Sequence, residues 1–218
     1  MADIIVSDIS KSFGDREILH GLSFTVKSGD FLSITGESGS GKSTLLSIMG
    51  GVLRPDNGRV EVGGTDIASL SEKALAKMRR TRLGFVYQFF NLIPTMTVRE
   101  NIFLPLVLDG KKTSDYREKF DKLVSFTHLD KVLDSYPDSL SGGEQQRAAI
   151  LRALIHDPEV ILLDEPTGNL DSENADAVMR LLADLNETYG VTVVQVTHSE
   201  HGAAYGNRVI TIKDGAIL

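Results

Sequence analysis

Apolar positions along the chain fall into three patterns. Near the start, "IIVSDI" and "LSFTV" alternate apolar with polar residues between Gly14, Gly21 and Gly29, which predicts short antiparallel strands. "DFLSIT" (Asp30 to Thr35), "EVILLDEP" and "VTVVQVTH" carry apolar residues with no polar beat, as strands buried on both faces do. "LGFVYQ" predicts another strand, ending at Gln88, while "GRVEVGGTDI" and "NRVITIKDGAI" read as edge hairpins. The third pattern is helical. Three- and four-residue spacing runs through "KSTLLSIMGGVL", "TVRENIFLPLVLDG", "SDYREKFDKLVSFTHL", "GGEQQRAAILRALIHDP" and "SENADAVMRLLADLNETYG", the last closed by Gly190. Strands alternating with helices predict an α/β fold with a parallel sheet covered on both faces. One domain over residues 1–218 is expected. Its core with an antiparallel β subdomain takes 1–90 and 159–218, and an inserted α-helical subdomain takes 91–158.

Bulk properties narrow the options. The 218 residues contain no cysteine, which excludes disulfides and thiolate metal sites. The start, "MADIIVSDISKSFGDRE", meets Asp3 and Asp8 before any long apolar run, unlike a secretory leader. The longest apolar run, "IFLPLVL", is interrupted by Pro105 and is too short to span a bilayer, so a chain soluble on its own is expected. A formal net charge of -7 argues against broad nucleic-acid binding. The basic run from Lys77 to Arg82 reads as a solvated helix end.

"GESGSGKS" (Gly36 to Ser43) fits the phosphate-loop pattern, with glycines that let main-chain amides converge on phosphate oxygens. Lys42 supplies a point charge for the β- and γ-phosphates, the Ser43 hydroxyl can ligate Mg²⁺, and the following helix aims its positive end at the same anion. In "VILLDEP" (Val160 to Pro166), four apolar residues bury a strand and bring Asp164 to its carboxyl end, where it can hold the metal. Glu165 can then accept a proton from the attacking water or orient it. His198 follows another buried strand and suits a γ-phosphate contact, and Gln88 suits the metal or the water. His20, His128, His156 and His201 read as structural. "LSGGEQQR" (residues 140 to 147) is a second, lysine-free anion cradle opening a helix.

Taken in order, "GESGSGKST", Gln88, "LSGGEQQ", "VILLDEP", "GNLD" (Gly168 to Asp171) and His198 resemble the motif series of ATP-binding-cassette (ABC) transporter nucleotide-binding subunits over essentially the whole chain. The resemblance implies a P-loop NTPase core of RecA type and a Mg²⁺-dependent ATPase. It also implies a homodimer packed head to tail around two ATP, each nucleotide lying between one copy's phosphate loop and the other's "LSGGE" segment. Carried over to this chain, ATP contacts fall on Phe13 (under the adenine, where a tyrosine is commoner) and on Gly36, Glu37, Ser38, Gly39, Ser40, Gly41, Lys42, Ser43 and Thr44. Contacts in trans fall on Ser141, Gly142, Gly143 and Glu144, coupling across the interface on Asp171, and the metal on Ser43, Gln88 and Asp164. Catalysis is assigned to Glu165, His198, Gln88 and Lys42. "LGFVYQFFNLIPTMTVRENIFLPL" (Leu83 to Leu106) resembles the branch of lipoprotein-releasing, macrolide-exporting and antibiotic-peptide-resistance ATPases with their cell-division relative. That implies integral membrane permease partners, a place at the cytoplasmic face of the inner membrane, and no nucleic-acid partner. Phe89, Phe90 and Leu92, if exposed, would receive a permease helix; packing in the core of the inserted helices is the alternative for each. An ATP-gated module acting on a membrane or cell-division partner without solute transport is the alternative.

Overall fold

The computed structural model describes residues 3–218. Strands β1 (Ile4–Phe13) and β2 (Arg16–Val26) form a hairpin. Strand β3 (Phe31–Thr35) then enters the interior and leads through a glycine-rich turn into helix α1 (Lys42–Met49). Strands β4 (Asn57–Val62) and β5 (Thr65–Asp66) return to the first hairpin, giving an antiparallel sheet in the order β2-β1-β4-β5. Helix α2 (Glu72–Thr81) precedes β6 (Leu83–Val86), and helices α3 (Val98–Leu108), α4 (Arg117–Thr127) and α5 (Gly142–Leu154) follow it. Strand β7 (Val160–Asp164), helix α6 (Ser172–Tyr189), strand β8 (Thr192–Val196), the short helix α7 (Glu200–Ala203), and strands β9 (Arg208–Lys213) and β10 (Ala216–Ile217) complete the chain.

The central sheet has the order β10-β9-β3-β8-β7-β6, parallel throughout except for β10. Its side chains alternate between two cores, as strand geometry requires. Phe31, Ile161, Leu163 and Val193 face α5, α6 and the helices inserted after β6. Leu32, Ile34, Leu162 and Val194 face α1 and the antiparallel sheet. Ile102, Leu106, Phe120 and Leu123 of the inserted helices share the first of these cores, so that segment packs directly onto the sheet domain. No helix among the described residues is long and apolar enough to cross a membrane.

Helix starts are specified locally. Thr97 with Glu100 and Ser141 with Glu144 form reciprocal capping boxes on α3 and α5. Pro105 lies inside α3 without ending it. One strand end departs from expectation: β6 stops at Val86, and Gln88 and Phe89 form a turn beyond it. The apolar stretch after Gln88 departs too. Phe89 is 72% exposed, but Phe90 and Leu92 are only partly exposed and pack against the core.

Candidate nucleotide site

The turn from β3 to α1 is built from main chain that only glycine tolerates. Gly36 and Gly41 have φ of 145° and 97°. A Cβ on Gly41 would lie 2.5 Å from the Leu19 Cδ2, and one on Gly36 would lie 2.1 Å from the Ile212 carbonyl oxygen. Lys42, the first residue of α1, is buried and donates to the carbonyls of Gly36 and Glu37, both at 2.8 Å. Above this turn opens a cavity of about 600 Å³. Ser38, Gly39, Gly41, Lys42, Ser43 and Thr44 line its floor, and Phe13 its outer end. Gly36, Glu37 and Ser40 support the turn from behind without lining the cavity, and the buried Ser40 hydroxyl has no hydrogen-bond partner.

Parallel pairing of β7 with β8 delivers the acidic residues. Ser43 Oγ donates to Asp164 Oδ1 at 2.8 Å. Burial pushes the Asp164 carboxyl above its usual range, and the neighbouring Glu165 charge adds to the rise, against the Ser43 hydrogen bond. Glu165 takes a left-handed backbone conformation (φ 47°), with its N–H held by the Val196 carbonyl at 3.0 Å. Its Oε2 lies 2.9 Å from His198 Nδ1 and lines the cavity beside His198 and Gln88. The expected acid, imidazole and amide therefore converge on one space.

Ser141 to Glu144 do not converge there; none of them lines the cavity. Ser141 caps α5 and its hydroxyl donates to Glu144 Oε2 at 2.7 Å, while its N–H donates to the same oxygen at 2.8 Å. Those contacts hold the Glu144 carboxyl below its usual range. Gly142 and Gly143 are helical. Packing leaves little room for a side chain there: a Cβ on Gly143 would lie 2.4 Å from Asn174 Oδ1, and one on Gly142 would lie 3.2 Å from Leu170. Asp171 caps α6, accepting from the Asn174 N–H and side-chain amide at 2.9 and 2.7 Å. It too stands outside the cavity.

Several contributors carry no sequence signal. Arg16 and Ile18, on β2, line the cavity near Phe13. Asn169 donates to the Gln88 carbonyl at 2.6 Å. His156 is buried against the Leu83 carbonyl at 3.0 Å, and burial lowers its pKa to about 4, in keeping with a structural histidine.

A phosphate loop, an acidic strand end and a carboxylate–imidazole pair around one cavity define a nucleoside-triphosphatase cassette. The family model described as "ABC transporter" matches residues 19–168. The chain belongs to the ABC transporter family, as one of its ATP-binding, ATP-hydrolysing subunits. It is similar to the lipoprotein-releasing system ATP-binding protein LolD of Cytophaga hutchinsonii, 42% identical over 211 residues, covering 97% of this chain and 96% of that one. It is also similar to the bacitracin export ATP-binding protein BceA of Halalkalibacterium halodurans, 42% identical over 221 residues, covering 100% of this chain and 87% of the relative. The dimeric ATP-binding cassette MJ0796, solved in a post-hydrolysis state bound to ADP and Pi, superposes with a TM-score of 0.89 at 40% identity, covering 98% of this chain and 96% of that one.

Proposed function

We propose that the cavity takes ATP and that the Ser141–Glu144 segment of a second copy completes it from the far side. The observation that carries this reading is the separation of two anion-directed segments on one chain. Lys42, Ser43, Gln88, Glu165 and His198 surround the cavity, while the N-terminus of α5 opens elsewhere. The α5 N-terminus carries the Ser141–Glu144 capping box yet keeps the positive end of its dipole towards a phosphate, and the lysine on the first segment makes a second lysine unnecessary. Phe13, 53% exposed, offers a ring face for the adenine, and Arg16 lies beside it. Asp171, on the cap of α6, would cross between copies.

Ser43 Oγ and Asp164 Oδ1 already lie 2.8 Å apart, and with the Gln88 amide oxygen they form the all-oxygen donor set that Mg²⁺ selects. When bound, Mg²⁺ would neutralise charge on the β- and γ-phosphates. Lys42 would add its charge to the same oxygens, Glu165 would orient the attacking water and receive its proton, and His198 would hold the γ-phosphate and steady the Glu165 carboxylate. Hydrolysis would remove the phosphate that joins the two copies, so the dimer opens.

The work is delivered to integral membrane permease subunits of the lipoprotein-release or macrolide-export type. The cassette would then sit at the cytoplasmic face of the inner membrane, held there by its partner. Phe89, at the tip of the turn after β6, is the exposed apolar residue suited to receive the permease. The test is light scattering on Glu165→Gln with ATP. A dimer is expected, and Ser141→Ala in that background should lose it. Glu165→Gln that stays single at high protein and ATP concentration overturns the trans site.

A further inference from the structure

The loop that carries Gln88 is strained and is held in place by side chains from distant parts of the chain. Phe90 and Asn91 are both left-handed, with φ of 62° and 48°. Residues with a Cβ occupy that region at a cost, and they persist only where their surroundings impose it. Here the surroundings are Arg152. Its Nη2 donates to the Phe90 carbonyl at 2.7 Å and its Nη1 to the Asn91 carbonyl at 2.5 Å. These two carbonyls are its only hydrogen-bond partners among the described residues. The side chain is partly buried, and that desolvation lowers its pKa. No carboxylate pairs with it among the described residues, so the two carbonyls are what offset its partial burial. Its fork geometry matches two adjacent carbonyls, which lysine cannot do.

Arg152 sits on α5, whose first turn carries Ser141. Eleven residues of helix separate them, about 16 Å along one rigid rod. On its other side the loop is tied at the Gln88 carbonyl by Asn169, in the "GNLD" segment leading to Asp171. The loop of Gln88 is thus gripped at Gln88 from one, and at Phe90 and Asn91 from the other, of the two elements proposed to meet the second copy.

We propose that Arg152 is a positioning residue for Gln88: its fork on the carbonyls of Phe90 and Asn91 holds the loop so that a shift of α5, when Ser141 meets the second copy's nucleotide, reaches the Gln88 side chain in the same copy's cavity. This rests on the trans reading of Ser141 given above. It adds a route, within one chain, from the half-site offered to the partner to the half-site kept.

Arg152→Lys keeps the charge and removes the fork. In the otherwise native protein it should lower kcat about tenfold with KM within twofold. Hydrogen–deuterium exchange should quicken at residues 88–92, with the melting temperature nearly unchanged. Adding Asn91→Gly should restore part of the lost kcat, since glycine adopts the left-handed conformation without strain. Arg152→Gln serves as the second variant and should behave alike without rescue by salt. Wild-type kcat in both variants, or lost turnover with exchange at 88–92 unchanged, overturns the assignment. Ser141→Ala in the Glu165→Gln background is measured alongside. If that protein still dimerises with ATP, the trans reading itself fails. If it does not, while Arg152→Lys is silent, only the role of Arg152 falls.

Discussion

The chain holds two glycine-rich, anion-directed segments, and their glycines are there for different reasons. In the phosphate loop the backbone itself is unusual: Gly36, Gly39 and Gly41 all have positive φ. At the start of α5 the backbone is ordinary helix. Gly142 and Gly143 instead answer to packing, because Leu170 and Asn174 lie close against them. The first segment is a self-contained cradle with its own cation. The second is a helix end outside the cavity, packed against the cap of α6. A cradle binds alone, whereas a lone helix end needs something brought to it.

This contrast can be broken at each segment, most severely at the first. Gly41→Ala places a methyl 2.5 Å from Leu19 in a left-handed conformation, which cannot be relieved locally. Nucleotide binding by the single copy, read by titration with a fluorescent ATP analogue, should weaken by about 100-fold or more. Gly143→Ala should leave that binding intact. It should instead weaken ATP-driven dimerisation in the Glu165→Gln background by about tenfold, because Asn174 must move away. Adding Asn174→Ala should recover most of the loss. Equal effects of the two glycine variants on single-copy binding would erase the distinction.

The smallest effect concerns the Glu144 cap. Its folded-state pKa lies below the unfolded value near 4.5, because the Ser141 hydroxyl and then the Ser141 amide donate to the carboxylate. The folded state therefore binds fewer protons than the unfolded state in that range. The stabilisation is fully present above pH 4.5 and is lost as pH falls through the folded value. Glu144→Gln should cost about 0.5–1 kcal/mol at neutral pH and flatten that dependence, as measured by urea unfolding at pH 7 and pH 4. His156 acts with the same slope and greater size. Its pKa, held at about 4 by burial, is below the ordinary 6.5, so stability declines as pH falls from 6.5 towards 4. The full difference is about 3 kcal/mol, and His156→Leu should remove most of that slope.

What could be read from the residues alone follows from how local each feature is. The phosphate loop, the strand ending at Asp164 and the cap at Ser141 are written in neighbouring residues, and each sits where its spacing puts it. The end of β6 was less legible, since Tyr87 and Gln88 continue an alternating pattern into a turn imposed by Arg152 and Asn169 from 60 or more positions away. The burial of Phe90 and Leu92 is hidden for the same reason: a short aromatic run looks alike whether a core or solvent awaits it. Arg152 could not be found from pattern, because its partners are main-chain carbonyls and those leave no mark in a sequence.

The left-handed backbone at Glu165 has a consequence for which acid can stand there. Its main chain is bolted to Val196 and its carboxylate to His198, so neither end is free to search. Aspartate would bring the right charge on an arm one methylene shorter, about 1.5 Å of missing reach that the rigid shoulder cannot supply. At this position length matters as much as acidity.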